Sequence, residues 1–217
     1  MLPAWNLVAY TTLTAAMAKN RARRLRRMSR MSGGMLLLRA LTGYANVVDS
    51  EPGIGKAMNH LLWTGRTRRD LGYPAALLLK RIAQMDAALH VEPALTPPLT
   101  LYRGVDGRDL TGWRTGSERV FPAFLSTSFM PVQALLYAGM CTHPTVLVLR
   151  VDPATACAYL PKEDEVVLER GTRWRLVRRL VRLTPRPSAY VHPRYGDQSE
   201  GVSASVVDVL ECVCVRV

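Results

Sequence analysis

The stretch Pro93-Ala94-Leu95-Thr96-Pro97-Pro98-Leu99-Thr100-Leu101-Tyr102 divides the chain into two textures. Three prolines in six residues cannot continue a helix, because each lacks a backbone N–H and clashes with the preceding turn. On the N-terminal side, apolar residues recur at helical spacing. Leu78, Ile82, Met85 and Leu89 form a 3.6-residue stripe, and Pro74 suits the first turn of the helix that carries it. Ile54, Ala57, Met58, Leu61 and Leu62 repeat the pattern between the turn residues Ser50-Glu51-Pro52-Gly53 and a stop at Gly65. Residues Leu7 to Met28 contain no Gly or Pro and are rich in good helix formers; Gly33-Gly34 interrupts, and Met35 to Tyr44 resumes a helix.

Beyond Pro98 the segments become short and β-branched or aromatic. Leu99–Tyr102, Val120–Phe129, Val146–Val151, Glu165–Leu168, Trp174–Val181 and Val206–Val217 read as strands. Val132–Gly139 reads as a helix among them, and Arg182–Gly201 as a long polar loop. Helices first and strands afterwards make an α+β chain. The expectation is a single domain over 1–217, with a helical region at 1–92 and a strand-rich core at 99–217.

With 48% hydrophobic and 21% charged residues, the 217-residue chain can bury a core without staples. Its net charge of +12 gathers in two blocks. One holds Lys19, Arg21, Arg23, Arg24, Arg26, Arg27 and Arg30; the other holds Arg173, Arg175, Arg178, Arg179, Arg182 and Arg186. Neither comes with aromatics set for base stacking or with a zinc-finger pattern, so a nucleic-acid reader is not indicated. Solvated faces, or a contact to an acidic partner, explain the blocks. Cys141, Cys157, Cys212 and Cys214 form no CxxC pair and lack a zinc-like His spacing, which points to reduced thiols and no metal. No apolar run approaches the roughly 20 residues of a membrane helix. Met1 to Met17 has no basic residue ahead of its apolar stretch and runs into an Arg block, a poor fit to a Sec signal peptide.

Three pieces of the strand-rich half carry chemistry. Leu101-Tyr102-Arg103-Gly104 puts an Arg at a strand end, where its planar fork matches phosphate and Gly104 allows close backbone approach. In Phe124-Leu125-Ser126-Thr127-Ser128-Phe129 the period of two places Ser126 and Ser128 on one face and Thr127 on the other. In Glu163-Asp164-Glu165-Val166-Val167-Leu168 two carboxylates two residues apart point the same way, and three adjacent acids repel unless something uses them. Each piece alone is commonplace. An Arg at a strand end is usually a surface residue, Thr is frequent in strands, and an acidic loop on a basic protein is usually solvated.

In combination and in this order, they resemble the Arg-Ser-Glu class of mono-ADP-ribosyltransferases, the clostridial-type exoenzymes and their eukaryotic ecto-enzyme relatives. The resemblance extends over most of the chain. Gly55-Lys56-Ala57-Met58-Asn59-His60-Leu61-Leu62 is similar to the family's Ile-Asn-x-x-Leu-Arg helix. Leu79 to Leu89, the proline linker and Leu-Tyr-Arg-Gly are similar to its approach to the first strand. Tyr159-Leu160-Pro161 before the acids, and Val-Val-Leu-x-Arg-Gly-Thr after them, also fit.

The resemblance implies a mixed, two-sheet β-core of ADP-ribosyltransferase type, NAD⁺ as co-substrate and no metal. Arg103 would meet the pyrophosphate, or the ribose and phosphate on the nicotinamide side. Gly104 would leave its backbone free for the nicotinamide amide. Ser126 would hold the catalytic Glu165, while Thr127 and Ser128 support the strand and the nicotinamide pocket. Phe129 would either stack near nicotinamide or pack the core. Glu165 would hydrogen-bond the ribose 2′-hydroxyl and stabilise a cationic transition state. Glu163 would orient an acceptor arginine and take its proton; in the family, Gln at this position goes with other acceptors such as asparagine. The loop Ala158–Lys162 would face the target protein, with Tyr159 as its aromatic contact. Two departures stand out: residues 129–142 lack the Arg that some toxins place there, and Glu169 replaces a frequent Pro. The resemblance also implies a secreted or injected toxin or effector, or a protein acting inside a host cell. Two competing readings are an NAD⁺ glycohydrolase on the same fold and a catalytically silent basic binding module.

Overall fold

The computed structural model describes residues 19, 23, 27, 30, 44, 53–91, 99–160, 165–183, 191–192, 196–197 and 207–215. Three helices are described in full: α1 (Ile54–Thr64), α2 (Ala75–Leu89) and α3 (Pro131–Gly139). After the proline linker, ten strands are found among the described residues. They are β1 (Leu99–Asp106), β2 (Glu118–Phe121), β3 (Leu125–Ser128), β4 (Pro144–Val151), β5 (Cys157–Leu160), β6 (Glu165–Leu168), β7 (Thr172–Leu183), β8 (Val191–His192), β9 (Gly196–Asp197) and β10 (Val207–Val215). The α+β reading stands.

Helices α1 and α2 form where the periodicity places them. α1 ends at Gly65, whose φ of 69° and N–H bond to the Leu61 carbonyl make a left-handed cap. α2 begins after Pro74 and buries Leu78, Ile82, Met85 and Leu89. Lys19, Arg23 and Arg27 are each helical and exposed, at a spacing of four residues. The remainder of the expected helices Leu7–Met28 and Met35–Tyr44 lies outside the described residues, apart from the helical Tyr44.

Eight strands join in the order β2-β7-β10-β4-β1-β3-β6-β5, while β8 and β9 make a separate hairpin. β10 runs parallel to β4 and the other pairings in the large sheet are antiparallel, so the sheet is mixed. Its continuity is uneven. β1 pairs with β4 over eight residues, from Leu99↔Val151 to Asp106↔Pro144, but meets β3 at one pair, Tyr102↔Ser128. The sheet is therefore a five-stranded half and a three-stranded half joined at a narrow seam, which is the expected two-sheet core.

Side-chain alternation sorts the core into layers. Leu101, Leu147, Leu149, Trp174 and Leu210 from one half share a cluster with Leu125, Val166 and Leu168 from the other. Phe124, Ala158, Leu160 and Val167 point the opposite way and pack on α1 and α2. Tyr102, Val146, Val148, Val207 and Val209 form the other face of the five-stranded half, covered by Ala134 and Ala138 of α3. At its far end α2 is tied to the sheet. Arg170 forks onto the Asp86 carboxylate at 2.9–3.0 Å, and Glu169 accepts from the Ala156 N–H at 2.9 Å and lies 3.1 Å from His90 Nε2.

Two strand assignments need correction. Val120–Phe129 is not one strand. Pro122, which cannot donate to a ladder, separates β2 from β3, and the chain crosses there from one half to the other. Ala158–Leu160 is not part of a loop but belongs to β5, all four of whose residues are buried. In the second Arg block, Arg173 and Arg175 engage Glu118, and Arg178 shares Glu211 with Arg150. That face is partly neutralised within the chain.

The described cysteines are free thiols. Cys212 is buried on β10, and burial, with the nearby Glu211 charge, pushes its thiol up to about 12. It therefore stays protonated at pH 8. An aromatic disulfide reagent at that pH is expected to label Cys212 only after unfolding, as read by peptide mapping. Native labelling at a rate like that of a small free thiol would contradict the core placement.

Candidate active site

The seam between the halves opens into a cleft of about 320 Å³. Its walls come from β1 (Tyr102, Arg103, Gly104), β3 (Ser126, Thr127, Ser128) and Glu165 at the start of β6. α1 adds Gly55, Lys56 and Asn59, α3 adds Gln133, Ala134 and Tyr137, and Tyr44 completes the lining. Guanidinium, hydroxyl and carboxylate thus converge from three strands distant in sequence. β-pairing explains how. The single Tyr102↔Ser128 contact sets Arg103 beside β3, and the Ser128↔Glu165 pair sets the carboxylate beside the same strand.

Arg103 Nη1 donates to the Ser126 carbonyl at 2.6 Å, so the cation also stitches the seam. Burial lowers the Arg103 pKa, opposed by the negative charges of Tyr44, Glu165 and Asp109 when ionised. The Ser126 hydroxyl lies 3.1 Å from the Tyr44 hydroxyl, which accepts from Asn59 Nδ2 at 2.9 Å. Burial raises the Tyr44 pKa, and the Glu165 charge raises it further. Glu165 therefore lies close enough to act on both Tyr44 and Arg103. Thr127 turns away from its two neighbours; its buried hydroxyl donates to the Val166 carbonyl at 2.6 Å and locks β3 to β6. The Ser128 oxygen accepts from the Met130 N–H at 3.0 Å, turning the chain into α3.

Gly104 has a second reason to be glycine. A Cβ there would overlap the Ala134 carbonyl and come within 2.6 Å of the Ala138 nitrogen, so α3 can pack on β1 only because that atom is missing. Two expected site residues prove to be core residues. Phe129 is 3% exposed and lies in the cluster between the sheet halves, so it does not stack in the cleft. Tyr159 is 7% exposed, with its ring centroid 6.0 Å from that of Phe129, so it is not a surface contact for a target. Tyr159 faces inward because β5 alternates and its neighbour Ala158 points to the helices, while Phe129, just past β3, joins the same inner cluster as Leu125. Glu163 lies outside the described residues.

Sequence reading missed Tyr44, Lys56, Gln133 and Tyr137. Tyr137 stands in the stretch left unassigned for nucleotide contacts and is 52% exposed on the cleft wall. An exposed aromatic on an otherwise amphipathic helix is a usable signal. Tyr44 gave none, because its partner Ser126 is 82 residues away. Asn59 sits within the quoted helix motif, and its Oδ1 is buried with no hydrogen-bond partner among the described residues. A buried acceptor without a donor is costly unless a ligand supplies one. That orphan, a half-buried guanidinium and a cleft of ligand size fit a polar, anionic small molecule such as a dinucleotide. Among the described residues, no helix is long and apolar enough to cross a membrane.

No family model and no curated protein matches the chain. Solved structures do. The ADP-ribosylating toxin BECa of a C. perfringens binary enterotoxin, with NADH, superposes at a TM-score of 0.69 and 14% identity. That match covers 95% of this chain and 48% of BECa, so the chain spans about half the length of that toxin component. The Vis toxin, an ADP-ribosyltransferase from Vibrio splendidus, aligns at a TM-score of 0.61 and 17% identity over 99% of this chain and 88% of its own. The C3 exoenzyme of Clostridium limosum aligns at 0.59 and 16% over 93% and 94%. The overall fold is thus shared with proteins of very different sequence, and this chain has the clostridial-type mono-ADP-ribosyltransferase fold.

Proposed function

We propose that the chain transfers ADP-ribose from NAD⁺ to an arginine side chain of another protein and releases nicotinamide. The observation that carries this reading is the convergence of Arg103, Ser126 and Glu165 from β1, β3 and β6 on one cleft. The shared fold, and the NADH held by one structural relative, support it.

In this reading Arg103 pairs with the phosphates, and its partial burial strengthens that attraction relative to a surface site. Gly104, with Thr127 and Ser128 behind it, frames the nicotinamide end. Departure of nicotinamide leaves positive charge on the ribose. Glu165, half-buried at the head of β6, is a fixed carboxylate placed to stabilise that charge and to hold the 2′-hydroxyl. The acceptor must reach the ribose held at Glu165. An arginine guanidinium is no nucleophile until it loses a proton, and Glu163, two residues before Glu165, supplies the base. The toxin relatives also support a secreted or injected protein with a protein target, and the exposed Arg179, Lys19, Arg23 and Arg27 are candidates for an acidic partner.

Incubation with adenylate-labelled NAD⁺ and a cell lysate tests the reading. Label on protein arginines is the expected result; free ADP-ribose without protein label would make the chain a glycohydrolase, and untouched NAD⁺ would leave a silent binding module. Glu163→Gln is expected to reduce arginine transfer by about a hundredfold while sparing NAD⁺ hydrolysis. Equal loss of both would deny Glu163 a role in acceptor activation.

A further inference from the structure

Among the described residues, the region before α1 reaches the cleft through Tyr44. Tyr44 is buried, its ring edge-on to Phe124 with centroids 5.8 Å apart. Gly55 makes room for it, since a Cβ there would lie 2.6 Å from the Tyr44 carbonyl oxygen. The Tyr44 hydroxyl stands between Asn59 Nδ2, at 2.9 Å, and Ser126 Oγ, at 3.1 Å.

The Tyr44–Ser126 contact can run either way, and the direction in which the phenol donates is the one that leaves its hydrogen paired. An amide nitrogen can only donate, so Asn59 uses a lone pair of the phenol oxygen. The phenol has one hydrogen, and Ser126 Oγ is placed to accept it. Ser126 then keeps its own hydrogen to give away. Its main chain is fixed independently, because its carbonyl accepts from Arg103 Nη1 at 2.6 Å. Glu165 lines the same cleft, close enough for its charge to act on Tyr44.

Building on the transferase reading, we propose that Tyr44 is a positioning residue whose hydroxyl orders the relay Asn59→Tyr44→Ser126, so that Ser126 donates toward Glu165. Without the phenol hydrogen, the Ser126 hydroxyl is free to rotate, and its donation to the carboxylate is no longer enforced. In this role Tyr44 need not touch a reacting atom, although it lines the cleft. It acts through Ser126, and it makes the segment N-terminal to α1 part of the catalytic unit rather than a cover on it.

Tyr44→Phe keeps the ring and its packing on Phe124. Nicotinamide release should show kcat lowered roughly tenfold to a hundredfold, with KM for NAD⁺ within about threefold of the parent. The Tyr44→Phe/Ser126→Ala double variant should be no slower than Ser126→Ala, because the output of the relay is already gone. A Tyr44→Phe chain with parental kcat, or strictly additive losses in the double variant, overturns the proposal. A parent chain that neither binds NAD⁺ nor releases nicotinamide overturns the transferase reading instead. The relay is then judged by proton NMR. The Tyr44 hydroxyl resonance, assigned by its loss in Tyr44→Phe, must shift in Ser126→Ala, and a resonance that stays in place overturns the relay.

Discussion

Glu165→Gln is expected to slow nicotinamide release roughly a thousandfold while NAD⁺ affinity changes by no more than about threefold. Glutamine keeps the shape of the side chain and its capacity to accept a hydrogen bond, but removes the negative charge. The charge matters where the ribose becomes cationic, and the neighbourhood makes it matter more. Glu165 is half-buried in a wall with Arg103 and Tyr44, so its field is screened less than it would be at the surface. A thousandfold corresponds to about 4 kcal/mol of transition-state stabilisation, a reasonable share for one preorganised group. Ground-state NAD⁺ carries little of that ribose charge, which is why binding is largely spared. Single-turnover nicotinamide release and calorimetric titration with NAD⁺ separate the two effects. Equal losses in rate and affinity would make Glu165 a binding residue, and an unchanged rate would remove it from the chemistry.

Gly104→Ala should damage stability and site together. The added methyl meets main chain, not a flexible side-chain tip: it overlaps the Ala134 carbonyl and lies 2.6 Å from the Ala138 nitrogen. A helix backbone cannot rotate aside, so α3 must move as a body. Doing so loosens the cluster of Tyr102, Ala134, Ala138, Val146, Val148, Val207 and Val209. Overpacking of this kind costs about 3 kcal/mol. The displaced helix also carries Gln133 and Tyr137 out of the cleft wall, so NAD⁺ affinity should fall even under conditions where the variant is fully folded. Urea denaturation followed by tryptophan fluorescence measures the first effect, and NAD⁺ titration well below the midpoint measures the second. A variant with the parental midpoint would mean that α3 does not seat on β1 as described.

Local signals carried much of this outcome. The stripe from Leu78 to Leu89, the Gly65 stop and the proline linker are short-range features, and short-range physics realises them. Arg103, Ser126 and Glu165 were legible because their order and spacing resemble a known family, not because periodicity implied contact. Elements that depend on distant partners were not legible. β2 and β3 look like one strand until β7 claims the first and β6 the second. Tyr159 looks like an exposed contact until β5 is paired and its ring meets Phe129. Phe129 held two readings open, and the packing between the sheet halves selected the apolar one.

The narrow seam at Tyr102↔Ser128 has a consequence for how such a chain tolerates change. The proposed catalytic groups sit where the two halves have least backbone holding them together, so a substitution that lets either half drift would reach the cleft before it empties the core. Selection for activity would then guard the joint itself, while the outer Arg-bearing face of β7 is left free to vary. For this chain, that places the tightest constraint along one line of contact rather than through the whole interior.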